Sequence, residues 1–235
     1  SECAIRMGAV AVLQTSVDLQ PLRKAVAYAV TSSMYDWSGG SPQLGNSSAI
    51  REMRDLIRSV ADSDAAVMII GESGTGKELV ARAIHDCSRR AAGEYVPVNM
   101  AALPDTLVES VLFGYEKGAF TGADQRQGGM CQHADGGTLF LDEIGEMNRE
   151  LQPKLLRFLQ NHTVQRVGST QVQRVNARIV SATNRNVQEL VEQGVLREDL
   201  FFRLHVIPIY VPPLRDRQDD IPLLANAFLN RKCHE

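Results

Sequence analysis

A glycine-spaced loop lies between an apolar segment at 67–70 and a helical pattern at 78–84, and it restricts the fold more than any other feature. Glycines let the backbone turn tightly enough to direct its N–H groups at phosphate oxygens, and the following helix adds the positive end of its dipole. A purely structural turn is the alternative for such a loop on its own. The interpretation that we favour is a site for a triphosphate whose outer phosphates Lys77 reaches, formed by Gly71, Glu72, Ser73, Gly74, Thr75, Gly76 and Lys77.

Two adjacent carboxylates, Asp142 and Glu143, follow a second apolar segment at 138–141. Ligands of open α/β folds bind at the carboxyl ends of parallel strands, so these side chains are expected beside the phosphate loop. Asp142 is predicted to hold Mg²⁺, directly or through water, and Glu143 to polarise the attacking water. A solvated acidic strand end is the alternative, and the phosphate loop upstream argues against it.

The residue after Lys77 departs from the general pattern of phosphate loops. It is Glu78, whereas most such loops place Ser or Thr there as a magnesium ligand. Glu78 is therefore grouped with the nucleotide-binding residues, and metal binding is expected to depend on other groups.

Apolar runs and helical stripes alternate after residue 45. Such alternation predicts an α/β fold, a parallel sheet with helices on both faces. Two helical stripes consist of Ile50, Met53, Ile57 and Val60, and of Leu151, Leu155, Phe158 and Leu159. The predicted strands cover 67–70, 95–98, 138–141, 177–182 and 205–211.

Changes in composition divide the chain into four parts. Residues 1–30 contain one apolar run and one helical stripe, and the segment 31–44, rich in Ser, Gly and Pro, is predicted to be a linker. An α/β unit is expected at 45–213. Residues 214–220 are charge-balanced and are predicted to be a solvated connection to a helix that starts at Asp219, the beginning of a truncated helical unit at 214–235.

Composition excludes several classes of protein. The formal net charge of -3 gives no global attraction to nucleic acid, so DNA contacts would have to be local or lie in another domain. Four cysteines without a CxxC pair support neither a disulfide framework nor a zinc site. Without a segment suited to a membrane span or a signal peptide, the cytoplasm is the expected location.

Five motifs occur in the order found in one known family. They are GESGTGKE (71–78), GAFTGA (118–123), GGTLFLDEIGE (136–146), ATNRN (182–186) and REDLFFRL (197–204). From about Leu44 to its last residue the chain thereby resembles bacterial enhancer-binding proteins, the AAA+ activators of sigma-54 RNA polymerase. Residues 1–30 resemble the last strand and helix of a response-regulator receiver domain, and an amphipathic interdomain helix is the alternative.

The resemblance implies that 45–213 is an AAA+ ATPase unit and that 214–235 begins a truncated helical lid, and it also implies roles for further residues and a set of partners. Asn99 would restrain the catalytic glutamate, and Asn184 would be the sensor near the γ-phosphate. Arg197 and Arg203 would reach into the neighbouring subunit's site, which implies a homo-oligomeric ring, typically a hexamer; pairing with nearby acidic residues is the alternative for both. The implied ligands are ATP and Mg²⁺, and the implied partners are the sigma-54 factor, RNA polymerase and, through a C-terminal domain absent from this chain, DNA.

The composition of the GAFTGA segment itself suits a contact with a partner. Two glycines flank a small apolar tip whose single large group is Phe120, and an exposed aromatic on a mobile projection suits contact with a partner in one nucleotide state. A buried aromatic in an ordinary surface loop is the alternative. The resemblance implies that this loop grips the sigma factor through Gly118, Ala119, Phe120, Thr121, Gly122 and Ala123.

Two rival functions remain at the level of sequence. One is a different remodelling ATPase of the same fold, against which GAFTGA argues. The other is a binding module that uses nucleotide only as an assembly switch, with little turnover.

Overall fold

The computed structural model of the protein describes residues 45–234. The predicted receiver-like segment at 1–30 and the predicted linker at 31–44 lie outside the described residues. Within 45–234, no helix is both long and apolar enough to cross a lipid bilayer.

The described residues alternate between strands and helices. The strands are β1 (Val67–Ile70), β2 (Tyr95–Asn99), β3 (Gly114–Tyr115), β4 (Gln127–Gly128), β5 (Thr138–Asp142), β6 (Thr163–Gln165), β7 (Val172–Arg174), β8 (Arg178–Thr183) and β9 (Ile207–Tyr210). The α-helices are α1 (Ser48–Ala61), α2 (Lys77–Asp86), α3 (Asp105–Phe113), α4 (Met130–His133), α5 (Gln152–Asn161), α6 (Val187–Glu192), α7 (Glu198–Leu204) and α8 (Ile221–His234). Single 3₁₀ turns cover Ile144–Glu146, Leu214–Asp216 and Gln218–Asp220.

Five strands form one parallel sheet in the order β2-β5-β8-β1-β9. The register places Asn99 opposite Asp142 and Ile70 opposite Thr183, so the carboxyl ends of the central strands are level. The phosphate loop, the adjacent carboxylates and Asn184 each follow one of these ends. The sheet therefore collects the predicted site residues along one edge.

Hydrophobic clusters cover both faces of the sheet. Val67 and Ile69 belong to the cluster that contains the buried stripe of α1, whereas Met68 belongs to the cluster with α3, α5 and α7. This division follows from the alternation of side chains along a strand. The parallel α/β fold predicted from the sequence is confirmed, and so is the predicted α1 stripe of Ile50, Met53, Ile57 and Val60, all of which are buried.

The edge strand β2 carries a proline at its centre. Pro97 cannot donate a hydrogen bond, and β2 pairs with β5 alone in the sheet. A proline is compatible with an edge strand because one side of the strand has no partner that needs the N–H.

Two short antiparallel hairpins lie outside the main sheet. Strand β3 pairs with β4, and β6 pairs with β7. An isolated bridge between Tyr115 and Val167 joins the two hairpins. The GAFTGA segment lies in the turn between β3 and β4.

The connection between β9 and α8 agrees only in part with the prediction of a solvated segment. Residues 214–216, 218 and 219 are exposed, but Arg217 and Asp220 are buried. The Asp220 carboxylate accepts hydrogen bonds from the N–H groups of Asn46 (2.5 Å) and Ser47 (2.7 Å) and from the Ser47 hydroxyl (2.7 Å). Because this acceptor role holds Asp220 in a 3₁₀ turn, α8 begins at Ile221 rather than at the predicted Asp219.

Candidate active site

The phosphate loop leaves β1 and ends where α2 begins. Gly74 and Gly76 have φ angles of 78° and 97°, a left-handed conformation that side chains with a Cβ rarely adopt. Lys77 is the first residue of α2, so the loop approaches the amino end of a ten-residue helix. This geometry suits the binding of an anion by backbone N–H groups and the helix dipole.

The Lys77 side chain lies inside the loop and is only 7% exposed. Its ammonium donates to Gly71 O (3.0 Å) and Glu72 O (3.3 Å) and lies 3.5 Å from Glu143 Oε1. The structure thus brings together the two residues predicted to bind phosphate and to activate water. A triphosphate would compete with Glu143 for the same ammonium.

Glu143 adopts an unusual backbone conformation for a residue other than glycine, with φ at 51°. Its second oxygen, Oε2, accepts a hydrogen bond from the backbone N–H of Asn184 at 3.1 Å. Glu143 is therefore held by a charge from α2 and by a backbone donor after β8. Residues kept in sparsely populated conformations occur often at functional sites, and they persist only where their surroundings impose them.

Asp142 lies beside Glu143 at the end of β5. Burial and the neighbouring Glu143 charge raise the pKa of Asp142, whereas a hydrogen bond from the Glu143 N–H (3.0 Å) and the charge of Lys77 oppose the rise. A carboxylate with a raised pKa gains from a nearby cation. Asp142 is the residue that would hold Mg²⁺ in this site, because this ion prefers carboxylate oxygens as protein ligands.

The structure places Asn99 on Asp142 rather than on Glu143. Its side-chain amide donates to Asp142 Oδ2 at 3.4 Å, and its carbonyl oxygen accepts from the Ala102 N–H at 3.1 Å. The parallel register of β2 and β5 explains this partner, because Asn99 and Asp142 are opposite each other. In this structure, the predicted restraint on Glu143 comes from Lys77 and Asn184 instead.

The two predicted interface arginines lie away from these groups. Arg197 forms a two-pronged contact with Asp199, with N–O distances of 3.0 and 2.7 Å, which is the pairing left open from the sequence. Arg203 is exposed on α7. Among the described residues, no hydrogen bond or ion pair joins either arginine to Lys77, Asp142 or Glu143.

A buried glutamine that the sequence did not reveal positions the start of α7. Gln152 accepts a hydrogen bond from the Arg197 N–H at 2.8 Å and donates to Met147 O (3.2 Å) and Val195 O (2.8 Å). Its side chain thereby fixes the backbone from which Arg197 projects. A polar residue at the first position of an amphipathic helix is an ordinary sequence feature, so only the structure distinguishes it.

The GAFTGA loop closes on itself and projects its aromatic ring. Gly118 N–H donates to Ala123 O (2.9 Å) and Ala123 N–H to Phe120 O (3.0 Å), while Gly118 and Gly122 have positive φ angles. Phe120 is 41% exposed, and its ring centroid lies 4.9 Å from that of Tyr115. The ring is thus neither buried nor free, because one side rests on the base of the hairpin.

The sheet order and this edge site together define an AAA+ P-loop NTPase domain. A model of the family described as "Sigma-54 interaction domain" matches residues 43–210. The chain therefore belongs to this family, which is that of the bacterial enhancer-binding proteins.

Individual relatives agree with this assignment. The chain is 50% identical over 224 residues to the regulatory protein AtoC of Escherichia coli K12, covering 95% of this chain and 48% of that protein. It is 54% identical over 191 residues to the Nif-specific regulatory protein of Klebsiella pneumoniae, covering 81% of this chain and 36% of that protein. The crystal structure of NtrX from Brucella abortus in complex with ATP is similar with a TM-score of 0.74 and 38% identity, over 97% of this chain and 53% of that one. The chain spans half or less of the length of the two curated relatives.

Proposed function

We propose that the chain is the ATP-hydrolysing core of a sigma-54-dependent transcriptional activator, which remodels the closed promoter complex of sigma-54 RNA polymerase. The observation that carries this proposal is the presence, in one domain, of the Lys77–Glu143 site and a projecting GAFTGA loop. The ATP complex of the similar NtrX supports ATP as the nucleotide.

The residues of the edge site divide the work of phosphoryl transfer. Loop N–H groups and Lys77 bind and orient the phosphates. Asp142 would hold Mg²⁺, and the ion would supply positive charge against the charge that develops in phosphoryl transfer. Glu143 accepts a hydrogen bond from the attacking water and so polarises it, once the nucleotide has drawn Lys77 away from the carboxylate. The Asn184 N–H keeps Glu143 close to the strand ends during this exchange.

Asn99 and the arginines extend the proposal beyond one subunit. Asn99 contacts Asp142 here and, on exchanging this partner for Glu143, would restrain the catalytic glutamate. Arg197 and Arg203 would neutralise transition-state charge in a neighbouring subunit, because neither reaches the site of its own chain. The active form is then a ring, a hexamer in the proposal, with sites completed between subunits.

The partners follow from the loop and from the family. The Phe120 loop would engage the sigma-54 factor in one nucleotide state and withdraw in another. Promoter specificity would come from a C-terminal DNA-binding domain outside this chain, and the protein would act in the cytoplasm.

Turnover by a glutamate variant tests the enzymatic part. We expect Glu143→Gln to retain ATP binding and to lower turnover by about 100-fold or more, since a positioned general base contributes roughly 10²–10⁴ in rate. ATPase assays and a binding titration on the same preparation measure both quantities. Equal turnover in the two proteins would reject the ATPase and favour an assembly switch.

Sedimentation and capture experiments test the remaining parts. Addition of an ATP transition-state mimic is expected to convert the chain into a ring, and turnover is expected to rise with protein concentration. Capture of sigma-54 in the presence of the mimic separates the proposed activator from another remodelling ATPase of the same fold. A permanently monomeric protein with normal turnover would contradict the shared site.

A further inference from the structure

A buried arginine from the connection to the lid reaches the backbone of the phosphate loop. Arg217 is only 6% exposed, and its Nη2 donates a hydrogen bond to Thr75 O at 2.9 Å. Thr75 is also buried, and its hydroxyl donates to Glu72 O at 2.8 Å. The loop is thus stabilised by an internal hydrogen bond from Thr75 and by a charged donor, Arg217, from the connection at 214–220.

The hydrogen bond to Thr75 O has a consequence for the next N–H group. The carbonyl of Thr75 and the N–H of Gly76 belong to one planar trans peptide, and they point in opposite directions. Gly76 has a positive φ of 97°, so this peptide lies at a point where the chain has unusual rotational freedom. A donor that fixes the carbonyl therefore also fixes the direction of the Gly76 N–H.

The turn that carries Arg217 is itself anchored. The Arg217 N–H donates to Leu214 O (3.1 Å), and the Asp220 N–H donates to Arg217 O (3.0 Å). The Asp220 carboxylate binds the backbone N–H groups of Asn46 and Ser47 before α1. Arg217 consequently donates from a position tied to the main domain, whatever orientation the lid helix adopts.

A second arginine of the same connection offers a contrast. Arg215 pairs with Glu72 of the phosphate loop at 2.5 and 2.7 Å, but both side chains are exposed. Exposed ion pairs contribute little, whereas a buried charged donor on a backbone carbonyl is costly to remove. The contact that shapes the loop is therefore the one made by Arg217.

We propose that Arg217 is a positioning residue for the phosphate loop, which orients the Thr75–Gly76 peptide so that the Gly76 N–H is presented to a bound phosphate. Arg217 acts through the peptide and not on the nucleotide. The inference rests on the proposed nucleotide site and adds a residue of the lid connection to it. It also means that the loop has its binding conformation only when the segment 214–220 is in place.

The test compares two buried arginines that both donate to backbone carbonyls. Arg217→Met removes the donor on the loop, whereas Arg178→Met removes donors to Val60 O and Ala61 O at the opposite, amino end of the sheet. The dissociation constant of a fluorescent ATP analogue with Mg²⁺ is measured for each, together with the Tm without nucleotide. Arg217→Lys is the conservative variant, because it keeps the charge but not the planar fork.

We expect similar decreases in Tm for the two methionine variants and different effects on binding. Arg217→Met should weaken binding about tenfold, the equivalent of one charge-assisted hydrogen bond, while Arg178→Met should bind as the unchanged chain does. Arg217→Lys should fall between the unchanged chain and Arg217→Met.

Three results would overturn the inference. One is an Arg217→Met protein that binds as tightly as the unchanged chain, and another is a loss of binding by both methionine variants in proportion to their Tm. If Arg217→Met does not fold, the affinity of Arg217→Lys for the analogue is used instead. The third contradicting result is then an Arg217→Lys protein that binds the analogue as tightly as the unchanged chain. Failure of the unchanged chain to bind the analogue would instead reject the proposed ATPase, and the inference with it.

Discussion

The phosphate loop and the GAFTGA loop are both glycine-rich turns, but the rest of the protein holds them very differently. The backbone carbonyls of the phosphate loop accept hydrogen bonds from the Lys77 ammonium, the Thr75 hydroxyl and the buried Arg217. The GAFTGA loop connects two strands of two residues each, and the Phe120 ring packs at a tilt against the ring of Tyr115.

This difference matches the roles that we propose for the two loops. Stabilising charge in phosphoryl transfer requires donors that are aimed before the substrate arrives, since reorganising them during the reaction would raise the barrier. A contact that forms and breaks with the nucleotide state requires a segment whose local opening costs little free energy. With these proposed roles, similar glycine content would serve a fixed geometry in the phosphate loop and local opening in the GAFTGA loop.

The strongest effect on ATP binding is expected from a substitution in the phosphate loop. Lys77→Ala removes the ammonium between the loop carbonyls and Glu143, and leaves the glutamate charge facing the incoming phosphates. Affinity for ATP should fall about 100-fold or more, because charge-assisted contacts of roughly 3 kcal/mol correspond to two factors of ten. Isothermal titration calorimetry measures the change. Lys117→Ala, which removes an exposed charge of the GAFTGA hairpin, should bind normally; equal affinities for the two variants would contradict the assigned role.

The next strongest effect is expected from a substitution that alters only the GAFTGA loop. Phe120→Ala should keep ATPase activity within about twofold and abolish activation of sigma-54 polymerase, and its half-exposed ring limits the loss of stability to roughly 1 kcal/mol. Turnover, a transcription assay and urea unfolding measure the three quantities. Leu107→Ala on α3, at 44% exposure, is the matched control and should retain activation. If Phe120→Ala lost both turnover and activation, the GAFTGA loop could not be assigned a function separate from ATP hydrolysis.

A matched pair of glycine variants tests the two loops under equal backbone strain. A methyl group at Gly74 or at Gly118 meets no heavy atom within 4 Å, and both residues have positive φ angles near 80° (78° and 81°). Gly74→Ala and Gly118→Ala should therefore each lose about 1–2 kcal/mol of stability from backbone strain alone. Gly74→Ala should weaken ATP binding, and Gly118→Ala should weaken only activation. If each variant impaired both properties equally, the contrast between the loops would not hold.

The smallest expected effect concerns the charge of Asp142. Since burial and Glu143 raise the pKa of Asp142, the folded state binds a proton more readily than the unfolded state does. Stability contributed by this group is present below the ordinary pKa of 3.8 and is lost as the pH rises through the folded-state value. Asp142→Asn should therefore gain stability relative to the unchanged chain as the pH rises through this window. Urea unfolding across that window, without nucleotide, would show an unchanged difference if the assignment is wrong.

Local patterns predicted much of the fold and the edge site. The strands at β1, β2, β5, β8 and β9 were recognisable from short apolar runs, and the phosphate loop from its glycine spacing. Their meeting point followed because carboxyl ends of neighbouring parallel strands share one edge of the sheet. The placement of Lys77 beside Glu143 agrees with that expectation.

Contacts between distant segments were not predictable in the same way. Arg217 and Thr75 are 142 residues apart, and Asp220 and Asn46 are 174 apart. The segment 214–220 has a balanced set of charges, and such a set resembles a solvated linker when no partner is known. Asn99 contacts Asp142 because of the register between β2 and β5, and the sequence of neither strand specifies that register.

Local patterns were enough to establish the class of fold, the phosphate loop and the paired carboxylates, because glycine freedom, side-chain alternation and strand ends act within a few residues. The packing of distant segments established which partners restrain Glu143, that Phe120 packs against Tyr115, and that Arg217 donates a hydrogen bond to the phosphate loop. These outcomes depend on burial and on hydrogen-bond partners brought from far along the chain, and such partners exist only once the sheet has assembled.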